Sequence, residues 1–432
     1  MALRRLDLRG FAGDRRELTD QLPRPVDEQD RSSDAVSAII AEVRAGGDDA
    51  LRLLTARYDH VDIDDLRVPA EEINAALARI PAALQEALDV AHDRILAYHA
   101  HEAGDVPSEF ASGGITVRHL VRPVRRAGCY APGGRARYPS TVLMCAVPAQ
   151  VAGVEEIILC VPPGPDGKID DATLAAAAVA GVTEVYRVGG AQAIAAMAYG
   201  TESIRAVDVI VGPGNRYVAE AKRQVSGVVG VASAFAGPSE VVVIAGPDTP
   251  PELAAIDLVV QAEHGPDGLA WLVTWSESTL EEVCAAVDRI VSASPRRGDL
   301  EATLGAGGWA VLVDGPKQAC AVSNVVAPEH LEILTRNAES LLVHIESAGA
   351  VFLGVNAPAS VGDYLAGPNH VLPTNRTARF ASALRVDDFR KHIHAVGMDD
   401  DALRILGPHV VTLAETEGLP AHAESVRLRW TQ

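Results

Sequence analysis

Three short runs decide the fold: EEIILCV at residues 155–161, EVYRV at residues 184–188 and DVIV at residues 208–211. Each run is rich in Val and Ile and is followed directly by Gly or Pro. Because strands that alternate with helices form βαβ units, this order predicts a parallel sheet with helices on its faces. The predicted helices lie at residues 171–180, 191–199 and 216–225.

A second set of the same kind follows along the chain. The predicted strands are residues 240–245, 270–274, 310–313 and 350–353, and the predicted helices between them are residues 251–263, 280–292 and 317–326. The first hundred residues read mostly as helix, at residues 34–58 and 70–101, because apolar residues recur there every three or four positions. We therefore predict an α/β protein with two α/β units and helical additions at both ends.

Composition narrows the class of protein. Of the 432 residues, 48% are hydrophobic and 22% are charged, so the chain can bury a sizeable core. The formal net charge of −20 disfavours nucleic acid and anionic membranes as partners. The most apolar stretch, residues 141–163, is interrupted by Pro148, Glu155 and Glu156, which favours a buried core over a membrane span. We expect no nucleic-acid or membrane partner.

The cysteines indicate a reducing compartment. They number five, are scattered, and form no CxxC pair, so a disulfide framework or a thiolate zinc site is not expected. Together with charged residues throughout positions 1–20 and no apolar signal segment, this predicts a cytoplasmic protein whose cysteines are small buried hydrophobes. His92, His99 and His101 have a loosely metal-like spacing, but we expect them to be solvated surface histidines.

Glycine-rich turns follow several predicted strands. Gly189-Gly190 and residues 212–215 (GPGN) each lead into a helix, and Gly133-Gly134 lies in a third such loop. Glycine lets a backbone approach a ligand closely, and helix N-termini favour phosphate. None of these turns has the GxGxxG pattern, so the usual dinucleotide fingerprint is absent. Taken singly, each is an ordinary βα turn.

Two short motifs contain side chains suited to catalysis or metal binding. Gln261 and His264 lie three residues apart near the end of a predicted helix, so both can point the same way. Imidazole is a common zinc ligand, and an amide oxygen is tolerated. Glu329 and His330 are neighbours and must address different atoms or different steps, the imidazole as a base and the carboxylate as an activator of water.

Seven motifs in a fixed order give a specific resemblance. The sequence contains VGGAQA (188–193), VGPGN (211–215), AGPSEV (236–241), QAEHG (261–265), APEHLEI (327–333), GDY (362–364) and EGLPAH (417–422). In these motifs the chain closely resembles the histidinol dehydrogenase family, from about Leu120 to His422 and more loosely to the N-terminus. The resemblance implies a four-electron oxidation of L-histidinol to L-histidine through L-histidinal, in histidine biosynthesis, with one Zn²⁺ per subunit and NAD⁺.

The resemblance also assigns residues. It implies that Gln261, His264, Asp363 and His422 bind the metal, which two nitrogen and two oxygen ligands suit whether it is zinc or manganese. His330 matches the base that takes the hydroxyl proton, and Glu329 the group that activates water for the second oxidation. Substrate contacts fall on Ser239 and Glu417, beside the metal-binding side chains and His330, and NAD contacts fall on Tyr130, Gln192 and Asn215.

The resemblance further implies two incomplete Rossmann-like parallel-sheet domains with small helical N- and C-terminal segments. The expected domains are a segment at residues 1–24, a discontinuous first domain at residues 25–128 plus 239–380 with the metal and catalytic residues, an NAD-side domain at residues 129–238 and a C-terminal segment at residues 381–432. The family forms an intertwined homodimer in which the last segment crosses to the partner, so Glu417 and His422 would complete the other subunit's site.

Three alternatives stay open at this point. The sequence departs from the family pattern in places, such as Arg135 after the double glycine. The chain could therefore be a paralogue that oxidises another small polar alcohol, for example a sulfonated diol. Arg135 or Arg376 would then bind the anionic group of that substrate. A zinc-binding scaffold without catalysis is a second alternative, disfavoured by the intact Glu329 and His330. A metal hydrolase would fit the four metal ligands but leaves the glycine-rich turns without a role.

Overall fold

The computed structural model describes residues 2–23, 33–104, 108–133, 137–232, 239–263 and 268–430. The strands are β1 (Arg4–Asp7), β2 (Glu109–Ser112), β3 (Ile115–Pro123), β4 (Arg126–Tyr130), β5 (Glu156–Val161), β6 (Glu184–Arg187), β7 (Val209–Val211), β8 (Gly230–Val231), β9 (Glu240–Ala245), β10 (Leu269–Thr274), β11 (Gly308–Leu312), β12 (His330–Leu334), β13 (Ala350–Leu353) and β14 (Arg390–Met398). The helices are α1 (Arg15–Gln21), α2 (Ser33–Tyr58), α3 (Ala70–Arg79), α4 (Ala82–Glu102), α5 (Pro139–Ala152), α6 (Asp171–Val179), α7 (Gly190–Tyr199), α8 (Arg216–Val225), α9 (Pro251–Ala262), α10 (Glu277–Ala293), α11 (Arg297–Gly307), α12 (Pro316–Val326), α13 (Ala359–Tyr364), α14 (Asp400–Thr416) and α15 (Pro420–Trp430). Short 3₁₀ helices lie at Ala338–His344, Thr377–Arg379 and Val386–Phe389.

Two parallel sheets form the larger of two compact units, which spans residues 1–102 and 125–389. One sheet has the strand order β6-β5-β4-β7-β8, and the other has the order β1-β11-β10-β9-β12-β13. Their inner strands are almost continuously apolar, as in EVVVIA of β9, because helices cover both faces of a parallel sheet. The predicted α/β class with parallel sheets is confirmed. The predicted boundary between the two sheet domains stays a prediction.

An ion-pair network joins three strands of the smaller parallel sheet at their amino ends. Arg126 of β4 is 5% exposed and donates to the carboxylates of Glu156 on β5 and Glu184 on β6. The hydroxyl of Tyr186 donates to Glu184 at 3.0 Å, and Arg205 donates to Glu156 at 2.7 Å. Each nearly buried charge therefore has opposite charges or hydrogen-bond partners around it, which is the condition for burying ions without a large penalty.

The second compact unit comprises residues 103–124 and 390–432. Its antiparallel sheet has the order β14-β3-β2, and α14 and α15 pack against each other. The predicted helical C-terminal segment contains α14 and α15 but also β14, which contributes nine residues to this sheet. The N-terminal segment likewise contains β1, which forms the edge of the six-stranded sheet by pairing with β11.

Burial corrects one prediction and confirms another. His99 is 1% exposed and its Nδ1 lies 2.9 Å from Glu102, so it is not a solvated surface histidine. All five cysteines are buried and unbonded, as predicted. The apolar stretch at residues 141–163 forms α5 and β5 of the core. Within the described ranges, no helix combines the length and apolar character that a membrane crossing requires.

Candidate functional site

Most of the predicted catalytic and metal-binding residues of the larger unit lie at the amino edge of the six-stranded sheet. His330 is the first residue of β12, Glu329 directly precedes it, and Ser239 directly precedes β9. The connection from β9 through α9 to β10 returns the chain to this edge, and Gln261 lies in the last turn of α9. Parallel α/β sheets more often bind ligands at the carboxyl ends of their strands, so the strand order alone does not locate this site.

His330 lies between carboxylates. Its ring is 4% exposed, its Nδ1 lies 3.2 Å from the backbone oxygen of Glu240 and 3.5 Å from Glu329, and its Nε2 lies 3.4 Å from Oδ1 of Asp363. A backbone carbonyl only accepts hydrogen bonds, so Nδ1 carries a proton and donates it to Glu240. Nε2, on the side of Asp363, is therefore the nitrogen that gains or loses the second proton of the ring.

The pKa values in this cluster are displaced toward and beyond neutrality. Burial raises the pKa of the Glu329 carboxyl to about 7, although His330 opposes the rise. Burial alone would lower the pKa of His330, but the charges of Glu329 and Asp363 outweigh it and raise that pKa to about 9. Burial and the charge of Glu329 raise the pKa of Glu240 to about 8. Groups displaced in this way cluster at functional sites.

Glu240 was not predicted from the sequence, yet it connects the parts of this cluster. Its backbone N–H donates to Glu329 at 3.1 Å, its backbone oxygen accepts from His330, and its own carboxylate accepts from the backbone N–H of Asn375 at 3.1 Å. It is 1% exposed. A carboxylate at the first position of an otherwise apolar strand was the signal that could have identified it.

Gln261 has the environment of a metal ligand. Its side chain is 2% exposed, and its buried Oε1 accepts no hydrogen bond from any described residue. Such an orphaned acceptor is unfavourable unless a cation or other donor reaches it. No group of three or more His, Cys, Asp or Glu side chains within the described ranges is arranged to hold a metal. Asp363 is the one predicted ligand that belongs to these residue types and lies in the described part of the larger unit.

The remaining predicted residues of this site are distributed as follows. His264 lies outside the described residues. Glu417 directly follows α14, and His422 lies in the first turn of α15. Both residues therefore belong to the second compact unit, and both are exposed. Ser239 is half-buried, and its backbone oxygen accepts from the N–H of Leu269 at 3.1 Å.

A second acidic pair near the cluster was also missed by sequence reasoning. Glu332 follows His330 by two residues on β12 and is 1% exposed, and the carboxyl of Asp257 on α9 is its neighbour. Burial, together with the neighbouring Asp257 carboxyl, raises the pKa of Glu332 to about 9. In the sequence, Glu332 is a carboxylate in the apolar strand HLEIL, which is the same kind of signal as Glu240.

The predicted NAD residues share one cavity at the carboxyl edge of the five-stranded sheet. Tyr130 ends β4, Gln192 lies in the first turn of α7, and Asn215 precedes α8. All three line a cavity of about 1560 Å³, together with Pro162 and other residues that follow the strands. This volume exceeds the usual range for a drug-sized ligand, so a dinucleotide has room.

Hydrogen bonds fix the turns that border this cavity. The buried Tyr130 hydroxyl accepts from the N–H of Gly190 at 3.1 Å, and Asn215 caps α8 by accepting from the N–H groups of residues 217 and 218. Gly212 has φ +106, and a Cβ there would lie 2.0 Å from the backbone oxygen of Tyr130. Only glycine fits this position, so the turn packs directly against the backbone of Tyr130 and places Asn215 at the cavity.

Comparison with known proteins assigns the family. The histidinol dehydrogenase family model matches residues 22–430. Histidinol dehydrogenase of Thermosynechococcus vestitus is 47% identical over 404 residues, covering 93% of this chain and 94% of its own, and that of Neisseria gonorrhoeae is 47% identical over 397 residues, covering 91% and 92%. The crystal structure of histidinol dehydrogenase from Elizabethkingia anophelis superposes with a TM-score of 0.93 at 35% identity, covering 100% of this chain and 98% of that one. With the motifs, the edge cluster and both parallel sheets in agreement, the chain belongs to the histidinol dehydrogenase family of oxidoreductases.

Proposed function

We propose that the chain oxidises L-histidinol to L-histidine through L-histidinal, with two NAD⁺ per turnover and one Zn²⁺ per subunit. The observation that carries the proposal is His330, whose basic nitrogen lies 3.4 Å from Asp363 and whose other nitrogen is anchored to Glu240 at the same sheet edge as Glu329. A general base, a second carboxylate and candidate metal ligands at one edge are the groups that a two-step alcohol oxidation requires. Family membership supports the same substrate.

Gln261, His264, Asp363 and His422 would hold the zinc. The orphaned Oε1 of Gln261 fits this role, since a cation would satisfy it. When bound, zinc supplies Lewis-acid orientation of the substrate's nitrogen and oxygen atoms, and NAD⁺ supplies the acceptor for hydride.

His330 acts as the base for the first oxidation. Its Nδ1–H is held by the Glu240 carbonyl, so Nε2 is the atom that takes the hydroxyl proton of the alcohol. The neighbouring Glu329 and Asp363 carboxylates stabilise the imidazolium that this transfer creates, which is why they raise its pKa. The ring is held in one orientation and acts as a base in its neutral form, whose fraction grows as the pH rises toward 9.

Glu329 acts in the second oxidation. An aldehyde must add water before it can lose a hydride, and the carboxylate takes a proton from that water. Burial raises the pKa of Glu329 to about 7, so near neutral pH the carboxyl is present in both protonation states. A group with this pKa both accepts a proton and releases it within one turnover.

Tyr130, Gln192 and Asn215 bind NAD⁺ in the cavity at the carboxyl edge of the five-stranded sheet. The partly exposed backbone of Gly190, which lines the cavity, would let the dinucleotide approach closely. The paralogue with another alcohol is not favoured, since relatives at 47% identity are named histidinol dehydrogenase and cover more than nine tenths of the chain.

The protein functions as a homodimer in which Glu417 and His422 of one subunit complete the site of the other. The second compact unit supports this, because a partner subunit would bury its exposed apolar side chains. Phe110 is 65% exposed, Val396 69%, Ile405 68% and Leu413 64%. Large exposed apolar residues in one small unit mark an interaction surface.

The test is the amount of NADH formed per L-histidinol by purified protein, with zinc, with a chelator, and with zinc restored. Two NADH per substrate, lost on chelation and recovered with zinc, is the expected result. His264→Ala should lose bound zinc and nearly all turnover, whereas His101→Ala, which changes an exposed histidine of α4, is the matched control. Zinc-loaded dimer that yields no NADH from histidinol would refute the proposed substrate.

A further inference from the structure

Glu332 fixes the start of the helix that carries Asp363. One of its carboxylate oxygens accepts from the backbone N–H of Ala359 at 2.9 Å, and Ala359 is the first residue of α13. This helix has no capping side chain of its own, since its N-terminal neighbour is Pro358. The first N–H groups of a helix need external acceptors, so Glu332 supplies one that α13 otherwise lacks. Asp363 follows Ala359 by one helical turn.

The other oxygen of Glu332 faces a carboxyl group. It is buried and accepts from no donor among the described residues, and its partner is the side chain of Asp257. Two ionised carboxylates offer only acceptors and repel, so neighbouring buried carboxyls bond to each other only when one of them holds a proton. The raised pKa of Glu332 is consistent with its being the protonated member, donating to Asp257.

Asp257 lies on the helix that carries Gln261. The two residues are four apart on α9, so their side chains share one helical face. This face packs on the side of the sheet that bears Val241 and Val243, and β12 presents His330 and Glu332 opposite those two positions. Asp257 and Glu332 therefore connect α9 with the start of α13 through β12, the strand that carries His330.

We propose that Asp257 and Glu332 share one proton and act as positioning residues, holding α9 and α13 in the relative arrangement in which Gln261 and Asp363 bind one metal ion. The proposal rests on the zinc site of the proposed function. It goes beyond that site because neither carboxyl is itself a ligand. Groups that support metal ligands in this way typically contribute a factor of about 10–100 in metal affinity.

The test compares zinc affinity, by chelator competition, in the full chain and three variants. Glu332→Ala removes both bonds and should weaken zinc binding on the order of 10- to 100-fold. Glu332→Gln should bind zinc nearly as tightly as the unaltered chain, because its amide NH₂ replaces the shared proton and its oxygen still accepts from Ala359. Asp48→Ala is the control: this buried carboxylate bonds to Ser203 instead, so its loss should lower the unfolding temperature and leave zinc affinity unchanged.

An infrared measurement on the zinc-free protein tests the shared proton separately. The unaltered chain should show the carbonyl band of a protonated carboxylic acid that Glu332→Gln lacks. Unweakened zinc binding by Glu332→Ala, or equal weakening in Glu332→Gln and Glu332→Ala, would overturn the positioning role. If the unaltered chain bound more than one zinc and Glu332→Gln bound one, Asp257 and Glu332 would be a second cation site. That result would overturn the shared proton. A chain that shows the infrared band but takes up no zinc overturns the proposed function.

Discussion

Lys222 provides a quantitative test of how the turn at residues 212–215, next to the cavity of the five-stranded sheet, is supported. This residue of α8 is 1% exposed, and its ammonium group donates to the backbone oxygen of Gly212. Burial lowers the pKa of Lys222 from 10.5 to about 8 in the folded chain. One pKa unit is worth about 1.4 kcal/mol, so holding this lysine charged and buried costs roughly 3 kcal/mol.

The sign follows from proton binding. Between pH 8 and 10.5 the unfolded chain holds the Lys222 proton and the folded chain has released it, so the free energy of unfolding contributed by this residue rises with pH. Below pH 8 both states are protonated and the full penalty applies. Above pH 10.5 both states are neutral and the penalty is gone.

The assay is urea unfolding of zinc-free protein at fixed concentration and at several pH values from 7 to 10.5. The free energy of unfolding of the unaltered chain, minus that of Lys222→Met, should rise by roughly 3 kcal/mol across this range. Buried cysteines also change stability at high pH, but they are common to both proteins and cancel in the difference. Lys168→Met, which removes an exposed lysine, is the matched control. Parallel curves for the unaltered chain and Lys222→Met would refute the buried charge.

Three further predictions test other parts of the molecule. Glu329→Gln should slow oxidation of histidinal by a factor of about 10²–10⁴ and affect histidinol oxidation less, as measured by single-turnover NADH formation from each; equal losses would remove its role in the second step. Tyr130→Phe leaves the Gly190 N–H unpaired, so it should cost about 1–3 kcal/mol of stability and raise KM for NAD⁺ without changing zinc content. Arg126→Ala leaves two carboxylates at the strand ends without their buried cation and should lower the free energy of unfolding by about 3 kcal/mol, with unchanged zinc affinity; a neutral effect would show that solvent already screens the network.

The parallel strands could be predicted because their signal is local. A strand buried on both faces is apolar nearly throughout, and β5 and β9 satisfy this in the five residues that follow their first glutamate. The antiparallel sheet of the second unit could not be predicted in the same way. Its strand β14 is exposed at nearly every position and pairs with β3, about 270 residues earlier, so neither a hydrophobic pattern nor a turn marks it.

The candidate site divides along similar lines. The NAD residues follow strands that the sequence identifies, and the carboxyl ends of parallel strands meet at one edge, so Tyr130, Gln192 and Asn215 lie around one cavity. Glu329 and His330 were assigned by resemblance, since the amino edge of a sheet is an unusual place for a site. Glu240 and Glu332 were missed because their one signal, a carboxylate in an apolar strand, does not by itself distinguish a buried side chain from a solvated one; the fold buries both.

The reactivity of the buried cysteines reports local unfolding of the regions that contain them. Cys129, Cys145 and Cys160 lie in β4, α5 and β5, whereas Cys284 and Cys320 lie on helices that cover opposite faces of the six-stranded sheet. A thiol reagent therefore labels the native protein only as fast as these regions unfold locally. Counting modified thiols over time would show, without any introduced probe, whether the region of the five-stranded sheet or that of the six-stranded sheet opens first.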